Sequence, residues 1–314
     1  MRNAAHSSFL LFTLSHVSDF KALSMSLPLV SIVIPSYKPA YFEQCLRSAI
    51  GQTYPNIEIL VSDNCPTEEI REICKKFPGV IYQRSTAYKI ENITSALYSG
   101  KGMYIKPLFD DDILHPFCIE RMVAAAKISD DIELVFSASG VIDAENVTIR
   151  KRCPYQSHGI IPGNDLYRAI VLLYNVVGEF SSIMFKRQTL WMLGLKRAFK
   201  LGDHFFTRGL ADAAFYCNIA RGKSAYYLNE ELSYFRYDVR IASNSVPAAN
   251  PDWGFVLSDS FDLRRAGHME GIISTPELLE TQEISRREFE KGRDYFQVAT
   301  SYKNYVDYIK TLAR

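Results

Sequence analysis

Three consecutive carboxylates, Asp110-Asp111-Asp112, are the residues of this chain whose type and spacing point most directly to chemistry. They end the apolar run Tyr104-Ile105-Lys106-Pro107-Leu108-Phe109, which reads as a buried strand. Ile113-Leu114-His115 follows them, and an amphipathic segment begins at Pro116. Adjacent ionised acids repel, and a bare cluster of them inside a fold is costly. A divalent cation removes that cost. Hard oxygen ligands suit Mg²⁺ or Mn²⁺, which keep water and substrate phosphate in their remaining positions. The cluster is therefore read as a metal–diphosphate site at the C-terminal end of a strand, with Asp111 and either Asp110 or Asp112 holding the ion. Its plain competitor is an exposed acidic turn.

Two further polar strand ends lie upstream. Ser36-Tyr37 follows Leu29 to Pro35, and Asp63-Asn64 follows Ile57 to Val61. An aromatic ring at Tyr37 can pack on a nucleobase, and the Asp63 carboxylate can accept a base N–H. There is no G-x-G-x-x-G after the first strand and no G-x-x-x-x-G-K-[ST], so no glycine cradle holds phosphate. Acids acting through a metal are left to do so, which describes a metal-dependent nucleoside-diphosphate site.

The elements that must bring these residues together follow from periodicity. Leu29-Val30-Ser31-Ile32-Val33-Ile34 is a continuous run suited to a strand buried on both faces, with Pro35 expected to end it. Tyr41, Phe42, Cys45, Leu46, Ala49 and Ile50 recur at helical spacing. The pattern repeats through a strand at 57–61, a helix around Ile70 to Phe77, a short strand at 80–82, a helix from Asn92 to Ser99 and the acid-bearing strand from Met103. Such alternation predicts an open, largely parallel α/β sheet whose strand C-termini share one edge. Ser36-Tyr37, Asp63-Asn64 and the three aspartates should meet there.

Composition narrows the class. At 314 residues, 47% hydrophobic and 23% charged, the chain is ordinary globular material. A formal net charge of +1 gives no reason to invoke nucleic acid. Six scattered cysteines without metal-like spacing suit reduced thiols in a cytoplasmic protein. No apolar run reaches the length of about 18 residues that a membrane span needs; peripheral contact at the inner face of the membrane stays open. Residues 1–27 are set apart as a disordered leader or a misassigned start, with Met25 the alternative start and a signal peptide a weaker reading.

Several of these segments resemble family 2 glycosyltransferases of the GT-A fold. Val30-Ser31-Ile32-Val33-Ile34-Pro35-Ser36-Tyr37 is similar to that family's opening strand, and Ser48 to Ile59 to its next helix and strand. Val61-Ser62-Asp63-Asn64 is similar to its base-binding strand end, and Gly102 to Asp112 to its acidic metal motif. The resemblance covers about 29–122. It implies an open mixed α/β sheet of the GT-A (Rossmann-like) type flanked by helices, a nucleotide-sugar donor, often a UDP-sugar, and transfer with inversion. It places Pro35, Tyr37, Asp63, Asn64, Asn92 and Asp110 around the nucleotide sugar and Asp111 and Asp112 on the metal.

Farther on, Gly178-Glu179-Phe180-Ser181-Ser182 is similar to the family's loop beside the donor sugar, which brings Glu179 to the donor. Leu210 to Tyr216 stands where the family has an acidic pair ahead of a helix. Ala211 takes the first place and Asp212 the second, so Asp212 is the implied general base, with helix capping as the competing role. Asp203 and His204 are its substitutes. Tyr234-Phe235-Arg236-Tyr237-Asp238 is similar to a late Y-R-x-H segment whose histidine is Asp238 here; Arg236 and Arg240 are candidates for the diphosphate. The expected layout is a glycosyltransferase domain at 28–245 (nucleotide half 28–122, catalytic half 123–245), a linker at 245–255 and a C-terminal helical extension at 256–314. The tyrosine-rich extension could pack on the domain, bind an acceptor glycan or mediate association. The function implied is a metal-dependent transferase that moves one sugar to a glycan or lipid-linked acceptor, in cell-surface polysaccharide synthesis. The alternative is a catalytically silent nucleotide-sugar or glycan binder, favoured by Ala211 and Asp238. A nucleotidyltransferase would need a phosphate loop near the first strand, and Pro35 to Tyr41 is not one.

Overall fold

A computed structural model describes residues 27–173, 175–241, 250 and 252–312. Residues 1–26 of the expected leader, and 245–249 and 251 of the expected linker, lie outside the described residues.

The first half builds as the periodicity predicts. Strand β1 (Val30–Ser36) leads to helix α1 (Phe42–Ile50), β2 (Ile57–Asp63), α2 (Glu69–Lys75), β3 (Val80–Arg84), α3 (Ile90–Ser99) and β4 (Tyr104–Pro107). A two-residue strand β5 (Ile113–Leu114) and α4 (Cys118–Ala126) follow the acidic turn. The second half runs β6 (Ile132–Ile142), β7 (Thr148–Arg152), β8 (Gly159–Pro162), α5 (Gly163–Leu173), a 3₁₀ turn at Phe180–Ser182, β9 (Ile183–Lys186) and α6 (Arg187–Leu193). Then come a small hairpin of β10 (Lys200–Leu201) and β11 (His204–Phe205), α7 (Ala211–Ala220) and β12 (Ser224–Arg236). Helices α8 (Trp253–Met269), α9 (Thr275–Glu280), α10 (Gln282–Gly292) and α11 (Phe296–Leu312) complete the described chain.

The main sheet has the order β3-β2-β1-β4-β9-β6-β12-β5, with β7 paired to β6 and β8 to β12. Strands β1 to β4 are mutually parallel, whereas β9 runs antiparallel to both β4 and β6. This is the expected mixed α/β sheet flanked by helices. One detail differs from the sequence reading. Pro35 lies inside β1 rather than ending it. Val33 accepts from Leu108 N on the β4 side, and Ser36 accepts from Asn64 N on the β2 side. Residue 35 shares its direction with residue 33, toward a ladder that stops at the Val33–Pro107 pair, so its missing N–H leaves nothing unmade. Ser224–Arg236 forms one long strand, because register shifts around Glu231 absorb the irregularity without a turn.

Alternate residues feed two cores. Val30, Ile32 and Ile34 pack with Phe42, Cys45, Leu46 and Ala49 of α1, at the i, i+3, i+4, i+7 spacing of one helix face. Val33, Leu60 and Ile105 face the other core, with Phe136, Phe185, Phe215 and residues of α5 and α7. Leu257, Phe261, Val298 and Tyr305 of the C-terminal helices belong to that second core. The tyrosine-rich extension therefore packs on the domain, through α8 against α5 and β10.

Candidate active site

The β1–β2 register pairs Ser36 with Asp63 and so sets two of the polar strand ends side by side. Tyr37, just beyond, is half exposed and offers a ring face to solvent. Asp63 is fully buried. One oxygen accepts Cys65 N at 2.8 Å, and the other accepts the Tyr82 hydroxyl at 2.7 Å and Arg84 Nη1 at 2.8 Å. Asn92 ties the same strand end together. Its amide donates to Ser62 O and to Asn64 Oδ1, each at 3.0 Å, and its oxygen accepts the Ser62 hydroxyl at 2.7 Å. Asn92 thus sits under the strand end, locking Asn64.

The acidic turn closes against β1. One oxygen of Asp110 accepts both Tyr37 N and Lys38 N at 2.6 Å. The Lys38 ammonium bonds the Asp111 carboxylate and lies 3.8 Å from the other oxygen of Asp110. Asp112 turns inward and is fully buried. It accepts the Ser181 hydroxyl and, at 3.1 Å, Arg236 N. The mutual repulsion expected of three acids is relieved unevenly. Burial pushes Asp110 up to about 6, with Lys38 opposing and Asp111 adding to the rise. Burial, then the Asp111 charge, raises Asp112 well above the carboxylate range. Asp112 thus faces Ser181 and the Arg236 backbone, while Asp111 and Asp110 face the Lys38 ammonium.

Arg236 sets the position of this turn. Its guanidinium, fully buried, donates to Asp111 O at 3.0 Å, Asp143 O at 2.6 Å and Asn146 Oδ1 at 2.6 Å, and lies 4.0 Å from the centre of the Tyr41 ring. It is committed to the scaffold and not turned toward a diphosphate. Among the described residues no cluster of three or more His, Cys, Asp or Glu side chains is arranged to cage a metal ion. Asp110 and Asp111 do already share one cation, the Lys38 ammonium. Both are nearly buried, at 4% and 5% exposed; hard carboxylate oxygens that already meet a cation are a fitting donor set for Mg²⁺ or Mn²⁺.

A second group of residues lies beside the turn. Gly178 adopts φ +97°, and a Cβ there would stand 2.6 Å from Arg152 Nη1. Only glycine allows both the left-handed backbone and that close approach. Next to it Glu179 forms a two-pronged ion pair with Arg152, one arm at 2.7 Å. Asp212 lies in the first turn of α7, where Leu210, not Asp212, is the N-cap residue. Its carboxylate accepts Ala213 N at 2.8 Å and the Asn175 amide at 2.9 Å. Burial foremost, with the Glu179 charge adding and Ala213 N and Arg152 opposing, lifts it to about 7. The loop 175–182 joins the two groups: the Asn175 amide donates to Gly178 O and Asp212, and the Ser181 hydroxyl donates to Asp112. Asp203 and His204 lie elsewhere: Asp203 pairs with Arg265 at 2.8 Å and His204 with Asp259 at 3.3 Å, both against α8.

The sequence profile described as Glycosyl transferase family 2 matches residues 31–209, more than half of the chain. The chain belongs to that family. An uncharacterized glycosyltransferase of Haemophilus influenzae is 22% identical over 298 residues, covering 90% of this chain and 94% of its own length. One of Rickettsia felis is 32% identical over 161 residues, 46% of this chain; the chain spans only 25% of that protein's length. Among solved structures, S. aureus TarS 1–349 in complex with UDP-GlcNAc superposes with a TM-score of 0.61 at 13% identity, covering 90% of this chain and 81% of that one. At that identity the likeness speaks for the GT-A fold.

For this family 2 glycosyltransferase, the departures from the family pattern have structural counterparts. Asp238, in place of a histidine, accepts the Tyr41 hydroxyl at 2.6 Å and Arg240 Nη2 at 2.8 Å. Those bonds to Arg240 and Tyr41 hold it below the usual carboxylate range. Lys38, Arg152, Asn175 and Ser181 carry as much of the site as the motif residues, and nothing in their own spacing marked them. Only the adjacency of Lys38 to Tyr37, and of Ser181 to Glu179, offered a signal.

Proposed function

We propose that this glycosyltransferase is metal-dependent and inverting, and moves a single sugar from a nucleoside-diphosphate sugar, with UDP as the nucleotide, to a glycan or lipid-linked acceptor in cell-surface polysaccharide synthesis. The observation that carries the reading is the pairing, at one sheet edge, of a cation-sharing carboxylate pair with a separate carboxylate held near neutrality. The Tyr37 ring takes the base, and Asp63, Asn64 and Asn92 shape the strand end beside it. Asp110 and Asp111 would hold Mg²⁺ or Mn²⁺, which when bound offsets the charge growing on the departing diphosphate. Asp112 acts from beneath, through Ser181 and Arg236, and Glu179 faces the sugar. Asp212 takes the proton from the acceptor hydroxyl as its oxygen attacks the anomeric carbon and the bond to the diphosphate breaks. A group titrating near the working pH suits that transfer.

The test pairs calorimetry with a donor-hydrolysis assay. Asp212→Asn should bind UDP with Mn²⁺ like the parent and lose turnover by about 10²-fold or more. Turnover within about threefold of the parent rules out the base. Binding by the parent chain with no turnover on any UDP-sugar favours the silent binder that Ala211 and Asp238 suggest.

A further inference from the structure

Lys38 stands out because it answers the charge of the acidic site from within the chain. Its backbone N–H is fixed to Asp110 at 2.6 Å, so the base of the side chain cannot drift. Its head bonds Asp111 and lies 3.8 Å from Asp110, which puts one positive centre between the two carboxylates that a divalent ion would use. The side chain keeps 26% of its surface exposed, next to the half-exposed Tyr37. A lysine stem is flexible and its ammonium is a point charge that binds phosphate without a fixed geometry. A tethered cation at a metal position therefore competes with the metal, and once displaced it is within reach of whatever anion the metal brings.

We propose that Lys38 is the resident counter-cation of the acidic site and moves onto the donor's diphosphate when a divalent ion takes its place between Asp110 and Asp111. The proposal rests on the nucleotide-sugar reading above and extends it. Lys38 is a binding residue for the diphosphate, and it sets an order: metal alone binds weakly, since it must evict a bonded ammonium, whereas metal with diphosphate binds well, since the ammonium gains a new partner. Exchanging one charge-assisted hydrogen bond for another costs little, whereas losing one outright weakens binding roughly tenfold.

The experiment titrates Mn²⁺ alone, UDP alone in EDTA, and UDP with Mn²⁺ into the parent chain, Lys38→Met and Lys38→Arg. Lys38→Met should bind Mn²⁺ alone about tenfold tighter and UDP with saturating Mn²⁺ about tenfold weaker, with UDP in EDTA, where no ion displaces Lys38, little changed; Lys38→Arg should stay near the parent in all three. In the parent chain, acylation of Lys38 followed by mass spectrometry should be slow in the free protein, faster with Mn²⁺ alone and slow again with Mn²⁺ and UDP. That second measurement serves if Lys38→Met does not fold. Unchanged affinities in Lys38→Met, or one acylation rate in all three states, overturns the proposal alone. Failure of the parent chain to bind UDP with Mn²⁺ overturns the nucleotide-sugar reading and this proposal together.

Discussion

Replacing Glu179 by Gln should move the acid limb of the pH–rate profile to lower pH while leaving Asp212 in place. Asp212 is held at about 7 by burial and by the Glu179 charge, against Ala213 N and Arg152. Tyr216, the other titratable group against it, is raised by burial and stays neutral. With the base at that value about half of it is ionised at pH 7 and about a tenth at pH 6, so kcat/KM should fall about fivefold between them. Glu179→Gln removes a negative neighbour and leaves the Arg152 charge less opposed. A fall of about one unit, a modest effect for a charge in a shared buried site, would shrink that loss to under about twofold. The assay is UDP release at saturating Mn²⁺, which keeps Asp110 ionised so that its own titration near 6 does not enter. An acid limb unmoved in Glu179→Gln refutes the reasoning, as does the same limb in the residual activity of Asp212→Asn. Stability has the corresponding sign. The native state holds the Asp212 proton more tightly than the unfolded chain does, so a stabilisation present at low pH is lost as pH rises from about 4 to about 7. Asp212→Asn should flatten that part of a urea-stability profile.

Other substitutions test other parts of the structure. Asp111→Asn should weaken UDP binding in the presence of Mn²⁺ by about tenfold or more with little change in melting temperature, and unchanged calorimetric affinity removes its metal role. Arg236→Met should cost about 3–5 kcal/mol in urea unfolding, because it strips a buried guanidinium from Asp111 O, Asp143 O and Asn146 together. A loss below about 1 kcal/mol would mean water takes over those acceptors. Gly163→Ala should destabilise by about 2 kcal/mol or more, since its Cβ would lie 1.7 Å from Ala220 O where α5 meets α7; an unshifted thermal melt would contradict that contact.

Much of the nucleotide half was legible because its physics is local. Continuous β-branched runs and helical spacing fix β1, α1 and β2, and a parallel sheet then forces Tyr37, Asp63 and Asp110 to one edge. The electrostatics were less legible. Three adjacent acids suggested a metal as the remedy, yet Lys38, Ser181 and Arg236 relieve the repulsion, from 69 to 125 positions away along the chain. Arg236 looked like a candidate for the diphosphate because an arginine in a strand carries no sign of which way it faces. Pro35 looked like a stop because the missing partner on its side of β1 depends on the length of β4. Arg152 was invisible as a site residue, since its bond to Glu179 depends on β7 folding back along β6.

The reversed direction of β9 reaches beyond the local ladder. Tyr37, Asp63 and Asp110 each arrive at the finish of a strand, but β9 contributes its beginning. Apart from Ser181, which bonds Asp112, Phe109 N and Lys106, the segment ahead of it can change composition without shifting the strands that grip the nucleotide. Relatives built on this frame should therefore diverge in sugar or acceptor preference first at the half-buried positions of 175–179, and least at the buried Val177, Phe180, Ser181 and Ser182.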